Sequence, residues 1–139
     1  MIHDGNRVIP TPEESFGAVV VGAGKVAATY LDYFSTNGNH PLVIIAETNP
    51  KAAEAAKMRY RPKLLLSDYR EGLCREDIDL VVICTPHHLH HAMAIDALKA
   101  GKHVICEKPM AISVQEANKM IDAASHHNRK LFVMLNMRF

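Results

Sequence analysis

The chain has 139 residues, 48% of them hydrophobic and 22% charged, which is the size and composition of one globular domain. A formal net charge of +1 points to neither a nucleic-acid nor an acidic-membrane partner, and no apolar run is long enough to span a membrane. The three cysteines, Cys74, Cys84 and Cys106, are odd in number and widely spaced. They fit reduced thiols of a cytoplasmic protein, and neither a disulfide framework nor a metal site is read from them.

Residues 1–16 are polar, hold Pro10 and Pro12 and lack a signal peptide's apolar middle, so they read as a flexible leader. The domain is expected over 17–139. Ala18 to Val21 is a short unbroken apolar run, the mark of a strand buried on both faces. A helix follows, with Val26, Ala27, Tyr30, Leu31 and Phe34 on one side, and the turn formers STNGN end it. Leu42 to Ala46 is the second buried strand. Asn49-Pro50 then opens a helix, since Asn caps free N–H groups and Pro suits the first helical position. Leu64 to Leu66 reads as a third strand, and 67–75 as a short helix or loop. The fourth strand is Leu80 to Cys84. A helix runs from about His88 to Ala100, where Gly101 supplies the left-handed residue that commonly ends one. The fifth strand is His103 to Cys106, with Glu107, Lys108 and Pro109 directly after it. Ser113 opens a helix through the capping box SVQE, and Leu131 to Leu135 is the sixth strand. Apolar strands alternating with helices dictate a parallel sheet covered on both faces by right-handed crossovers. That is the doubly wound α/β dinucleotide-binding architecture, the Rossmann fold.

Between the first strand and its helix stands Gly22-Ala23-Gly24-Lys25-Val26-Ala27, a GxGxxA pattern. Gly22 permits the tight turn. Gly24 lets the backbone approach a pyrophosphate, and Ala27 is small enough for close helix–strand packing. The phosphates would rest on the helix N-terminus beside Lys25 and Val26, where free N–H groups and the positive dipole end meet. Glu47 ends the second strand at the spacing of a ribose-binding acid. Its carboxylate accepts from a ribose diol and repels a 2′-phosphate. Thr48 and Asn49 follow with no Arg, so NAD is expected in preference to NADP, with Lys51 the one residue that leaves NADP open.

The segment VVICTPHHLHHAMAIDALKAGKHVICEKPM resembles the hallmark of the glucose–fructose oxidoreductase, inositol dehydrogenase and MocA family. The elements that carry the resemblance are Thr85-Pro86, His90, Ala100-Gly101-Lys102-His103-Val104 and Glu107-Lys108-Pro109, together with Arg138-Phe139 near the end. It extends from Gly17 to Phe139, with His87 standing where many members carry Asn. The resemblance implies an NAD- or NADP-dependent oxidoreductase acting on a sugar, an inositol or a related hydroxyl compound. It implies a second α/β domain that holds much of the substrate site and a homo-oligomer interface in the full-length form. It also adds Cys84, Thr85, Pro86, His90, Glu107, Lys108 and Arg138 to the cofactor-binding set, with Lys108 acting near the substrate hydroxyl.

Ligands of open α/β sheets bind at the carboxyl ends of the strands, where Glu107 and Lys108 stand. Hydride leaves a carbinol carbon more readily as the hydroxyl proton is withdrawn, and a Lys can take that proton. Well-placed acid–base catalysis is worth about 10²- to 10⁴-fold. Glu107 is suited to bond a cofactor ribose or to orient Lys108. Pro109 biases Lys108 toward extended backbone and leaves a cis bond open. A surface ion pair at a strand end is the plainer reading of these charges. A nucleotide-binding or sensing module without turnover is the alternative to an enzyme, and the intact Lys108 favours the enzyme.

Overall fold

In the computed structural model, which describes residues 2–4, 7–9, 16–36 and 42–135, six parallel strands build one sheet. Its strands are β3 (Gly17–Val21), β4 (Leu42–Ala46), β5 (Leu64–Leu66), β6 (Leu80–Ile83), β7 (His103–Glu107) and β8 (Leu131–Met134). They lie in the order β5-β4-β3-β6-β7-β8, so the chain winds outward from β3 in both directions. The winding reverses between β3 and β6, and a crevice opens at such a switch point beyond the strands' carboxyl ends. The register brings those ends level, with Val21 opposite Ala46 on one side and Ile83 on the other.

The inner strands β3, β4 and β6 are apolar throughout because both faces of the sheet are covered there. Along β3, Val19 and Val21 enter the cluster covered by α3 (Tyr69–Leu73), α4 (His90–Lys99) and α5 (Val114–His126). Ala18 and Val20 enter the one covered by α1 (Ala27–Thr36) and α2 (Pro50–Tyr60). The expected caps form. Asn49 Oδ1 accepts from the N–H groups of Lys51 and Ala52 at 3.0 and 3.1 Å. Ser113 Oγ accepts from Glu116 N–H at 3.2 Å, while the Glu116 carboxylate reaches back to Ile112 N–H at 3.3 Å. Gly101 ends α4 with φ +79°. No helix among the described residues is long and apolar enough to cross a membrane.

Several boundaries differ from the sequence reading. Within 1–16, where no element was expected, β1 (Ile2–Asp4) and β2 (Arg7–Ile9) pair antiparallel, with Ile2 opposite Ile9. Phe16 belongs to the domain: its carbonyl accepts from Leu42 N–H at 3.0 Å, and its ring meets Phe34 edge-on at 6.2 Å. Val26 is 47% exposed because the helix begins one residue later, at Ala27. The fourth crossover opens with a 3-10 turn at His87–Leu89, closed by Leu89 N–H on the Pro86 carbonyl at 3.0 Å. Strand β7 runs on through Glu107, since its ladder with β8 continues to Met134.

Candidate cofactor and catalytic site

The two glycines of the turn are glycine for different reasons. Gly22 has φ +89°, and a Cβ there would lie 2.9 Å from the Cys84 carbonyl oxygen. The close approach of β3's end to β6's end therefore demands it. A Cβ on Gly24 would meet nothing within 4 Å, and its backbone is not left-handed. Among the described residues nothing requires glycine at that position, whereas a pyrophosphate lying on the turn would. Ala27 is fully buried against the sheet, so its small size is a packing requirement, and Lys25 and Val26 stand exposed at the open end of α1.

Glu47, just past β4, joins this turn directly. One carboxylate oxygen accepts from Ala23 N–H at 2.7 Å and the other from Asn49 N–H at 2.7 Å. The acid therefore stands against the backbone that would meet the pyrophosphate and beside the start of α2. Its orientation is set by charge-assisted bonds to two amides.

On the other side of the switch point, Cys84 N–H donates to the Val21 carbonyl at 2.8 Å. Burial, reinforced by the Glu107 charge, pushes the Cys84 and Cys106 thiols up to about 12. Both stay neutral at physiological pH and act as small apolar fillers rather than nucleophiles. Pro86 is exposed, and the Thr85 hydroxyl donates to the Met93 sulfur at 3.4 Å. His90 is fully buried, with Nδ1 at 2.8 Å from the Pro109 carbonyl and Nε2 at 2.9 Å from the Thr85 carbonyl. Carbonyl oxygens only accept, so the ring nitrogen that carries the proton donates to one of the two carbonyls, and the ring lies between the loops after β6 and β7. His87 and His91 share the four-residue spacing of helical metal ligands. Among the described residues, however, no group of three His, Cys, Asp or Glu could hold a metal ion.

Glu107 is 7% exposed and engaged through both oxygens. Oε1 accepts from the Tyr30 hydroxyl at 2.7 Å, and Oε2 accepts from Lys108 N–H at 3.3 Å. The Lys108 side chain is exposed, and among the described residues its ammonium has no hydrogen-bond or ion-pair partner. The strand-end ion pair of the plainer sequence reading is therefore not formed. The Lys108–Pro109 peptide bond is cis. Arg138 lies outside the described residues. Tyr30 is the site residue that sequence reasoning missed, having counted it with the apolar face of α1. The available signal was its hydroxyl, which needs a partner wherever the ring is partly buried.

The model of an oxidoreductase family with an NAD-binding Rossmann fold matches residues 16–135. Levoglucosan dehydrogenase of Pseudarthrobacter phenanthrenivorans is 43% identical over 95 residues, which cover 68% of this chain and 24% of that protein. Inositol 2-dehydrogenase of Rhizobium meliloti is 33% identical over 120 residues, covering 86% of this chain and 36% of the relative. The crystal structure of the WlbA dehydrogenase from Bordetella pertussis, in complex with NADH and UDP-GlcNAcA, superposes with a TM-score of 0.81 at 28% identity. It covers 90% of this chain and 36% of that one. The chain thus spans roughly a quarter to just over a third of the length of these proteins. With the glycine turn, the acid after β4 and the Glu-Lys-Pro end of β7 on one edge of a doubly wound sheet, the chain belongs to this NAD-binding Rossmann oxidoreductase family.

Proposed function

We propose that this chain is the cofactor-binding half of an NAD-dependent oxidoreductase acting on a hydroxyl-bearing carbon of a sugar, an inositol or a related polyol. The observation that carries the reading is that, among the described residues, nothing stands over Gly24 at the switch point of the sheet and nothing pairs with Lys108 just past β7. The amides after Gly24 and the N-terminus of α1 would receive the pyrophosphate. Glu47 would turn a carboxylate oxygen to the adenosine ribose. Thr85 and Pro86 would flank the nicotinamide side. Bound NAD supplies the hydride acceptor. Lys108 Nζ, in its amine form, is the group suited to take the hydroxyl proton of the substrate and, as the ammonium so formed, to return it in the reverse direction. The uncommitted Lys108 argues against a module that binds NAD without turnover.

Residues from Phe16 onward form the nucleotide domain in this reading, and the protein is assigned to the cytoplasm, where its thiols stay reduced. The part of the relatives' length that this chain does not span would hold the polyol and the homo-oligomer contacts. Glu47, with no Arg at the next two positions, favours NAD over NADP. Calorimetric titration tests both points. NAD should bind more tightly than NADP, and Gly24→Asp should abolish binding while leaving the circular dichroism spectrum unchanged. Undiminished binding by that variant would overturn the site, and tighter NADP binding would overturn the cofactor preference.

A further inference from the structure

Tyr30 sits within the first turn of α1, the helix that the glycine turn opens. Its hydroxyl crosses to the end of β7, 77 positions on, and donates to Glu107 Oε1 at 2.7 Å. Glu107 is nearly buried, and a buried carboxylate must have its lone pairs met. Its second oxygen is met by the backbone N–H of Lys108 at 3.3 Å. Burial and the neighbouring carboxylate raise the Tyr30 hydroxyl well above its ordinary value, so it remains a donor throughout the physiological range. The thiols of Cys84 and Cys106 beside this pair are neutral for the reason already given. A single carboxylate thus joins the helix expected to receive the pyrophosphate to the backbone of the residue expected to move the proton.

We infer that Tyr30 is a positioning residue for the nicotinamide end of the site: it orients the Glu107 carboxylate and, through it, the Lys108 backbone. The inference rests on the proposed nucleotide site and deepens it. A helix is a rigid element. One whose N-terminus would meet the phosphates and whose Tyr30, within the same first turn, braces Glu107 makes the two ends of the cleft a single geometric unit. Tyr30→Phe keeps the ring and its packing and deletes only the donor.

The test titrates the chain with NADH and, separately, with ADP-ribose, which carries the pyrophosphate and adenosine ribose but no nicotinamide. Tyr30→Phe should weaken NADH binding about tenfold, the scale of one hydrogen bond to a charged group, and change ADP-ribose binding less than about twofold. Glu107→Gln, a second variant should the first fail to fold, should show the same split. The double variant should be no worse than the weaker single one, because the two residues act through one bond. Equal loss of both ligands would mark Tyr30 as merely structural and overturn the inference, as would no loss of either. Wild-type chain that binds neither ligand would instead overturn the nucleotide site itself.

Discussion

Gly22 and Gly24 illustrate how far a motif can be read from its letters. The GxGxxA spacing locates both, and the chain context carries the expectation of a phosphate turn. Only the structure separates a glycine required by the fold from one that no described residue requires. Gly22→Ala would place a Cβ against the Cys84 carbonyl on a left-handed backbone, and residues forced into such regions cost about 1–3 kcal/mol. Gly24→Ala enters open space and should shift stability by less than about 0.5 kcal/mol, the range of neutral surface changes. Urea unfolding of the two variants should separate them clearly, with Gly24→Ala losing affinity for NAD at unchanged stability. Glu47 was legible in the same partial way. Its place after a buried strand carries the expectation of a ribose-binding acid, but its bond to Ala23 N–H depends on a turn 24 positions away.

At the scale of elements, what is local was legible and what is long-range was not. Caps at Asn49 and Ser113 and the stop at Gly101 follow from neighbouring residues, and the structure contains all of them. The extent of β7 does not, because Glu107 is in the strand only through its pairing with Met134. The leader's β1 and β2 are only three residues each, too short for an alternation that would reveal them. His90 was identified by its motif, yet its partners come from two separate loops. By holding the Thr85 and Pro109 carbonyls, it sets the spacing of the loops that bracket Lys108. His90→Leu preserves apolar volume and removes the ring's donor. A group left unmet costs about 1–3 kcal/mol, so the variant should lose roughly that much in chemical unfolding. Its NAD affinity should fall as well, because the loops are no longer tied.

The molecule as a whole was legible as a doubly wound sheet because its central strands are apolar and several helices carry local start or stop signals. Its β8 edge was less so: Phe132, 58% exposed, shows that one face of this strand lies uncovered among the described residues. The well-covered interior has a consequence for alkaline stability. Burial, with the Glu107 charge second, pushes the Cys84 and Cys106 thiols from 9.0 up to about 12, and burial with the Asp96 bond raises the Tyr69 hydroxyl from 10.0 to about 12. In each case the folded state holds the proton more tightly than the unfolded chain does. Stability from these groups is therefore complete below their ordinary values and is lost as pH climbs through the interval toward the raised ones. Urea midpoints should stay level up to about pH 9, where unfolded thiols begin to ionise, and then fall continuously toward pH 12 as the tyrosines join. Replacing Cys84 and Cys106 together by Ala should flatten the first part of that fall, although the variant will be less stable at neutral pH. A midpoint that holds constant to pH 11 in the wild-type chain would mean that these thiols ionise alike in the folded and unfolded states, and that the strand ends beside Lys108 admit water far more freely than their packing indicates.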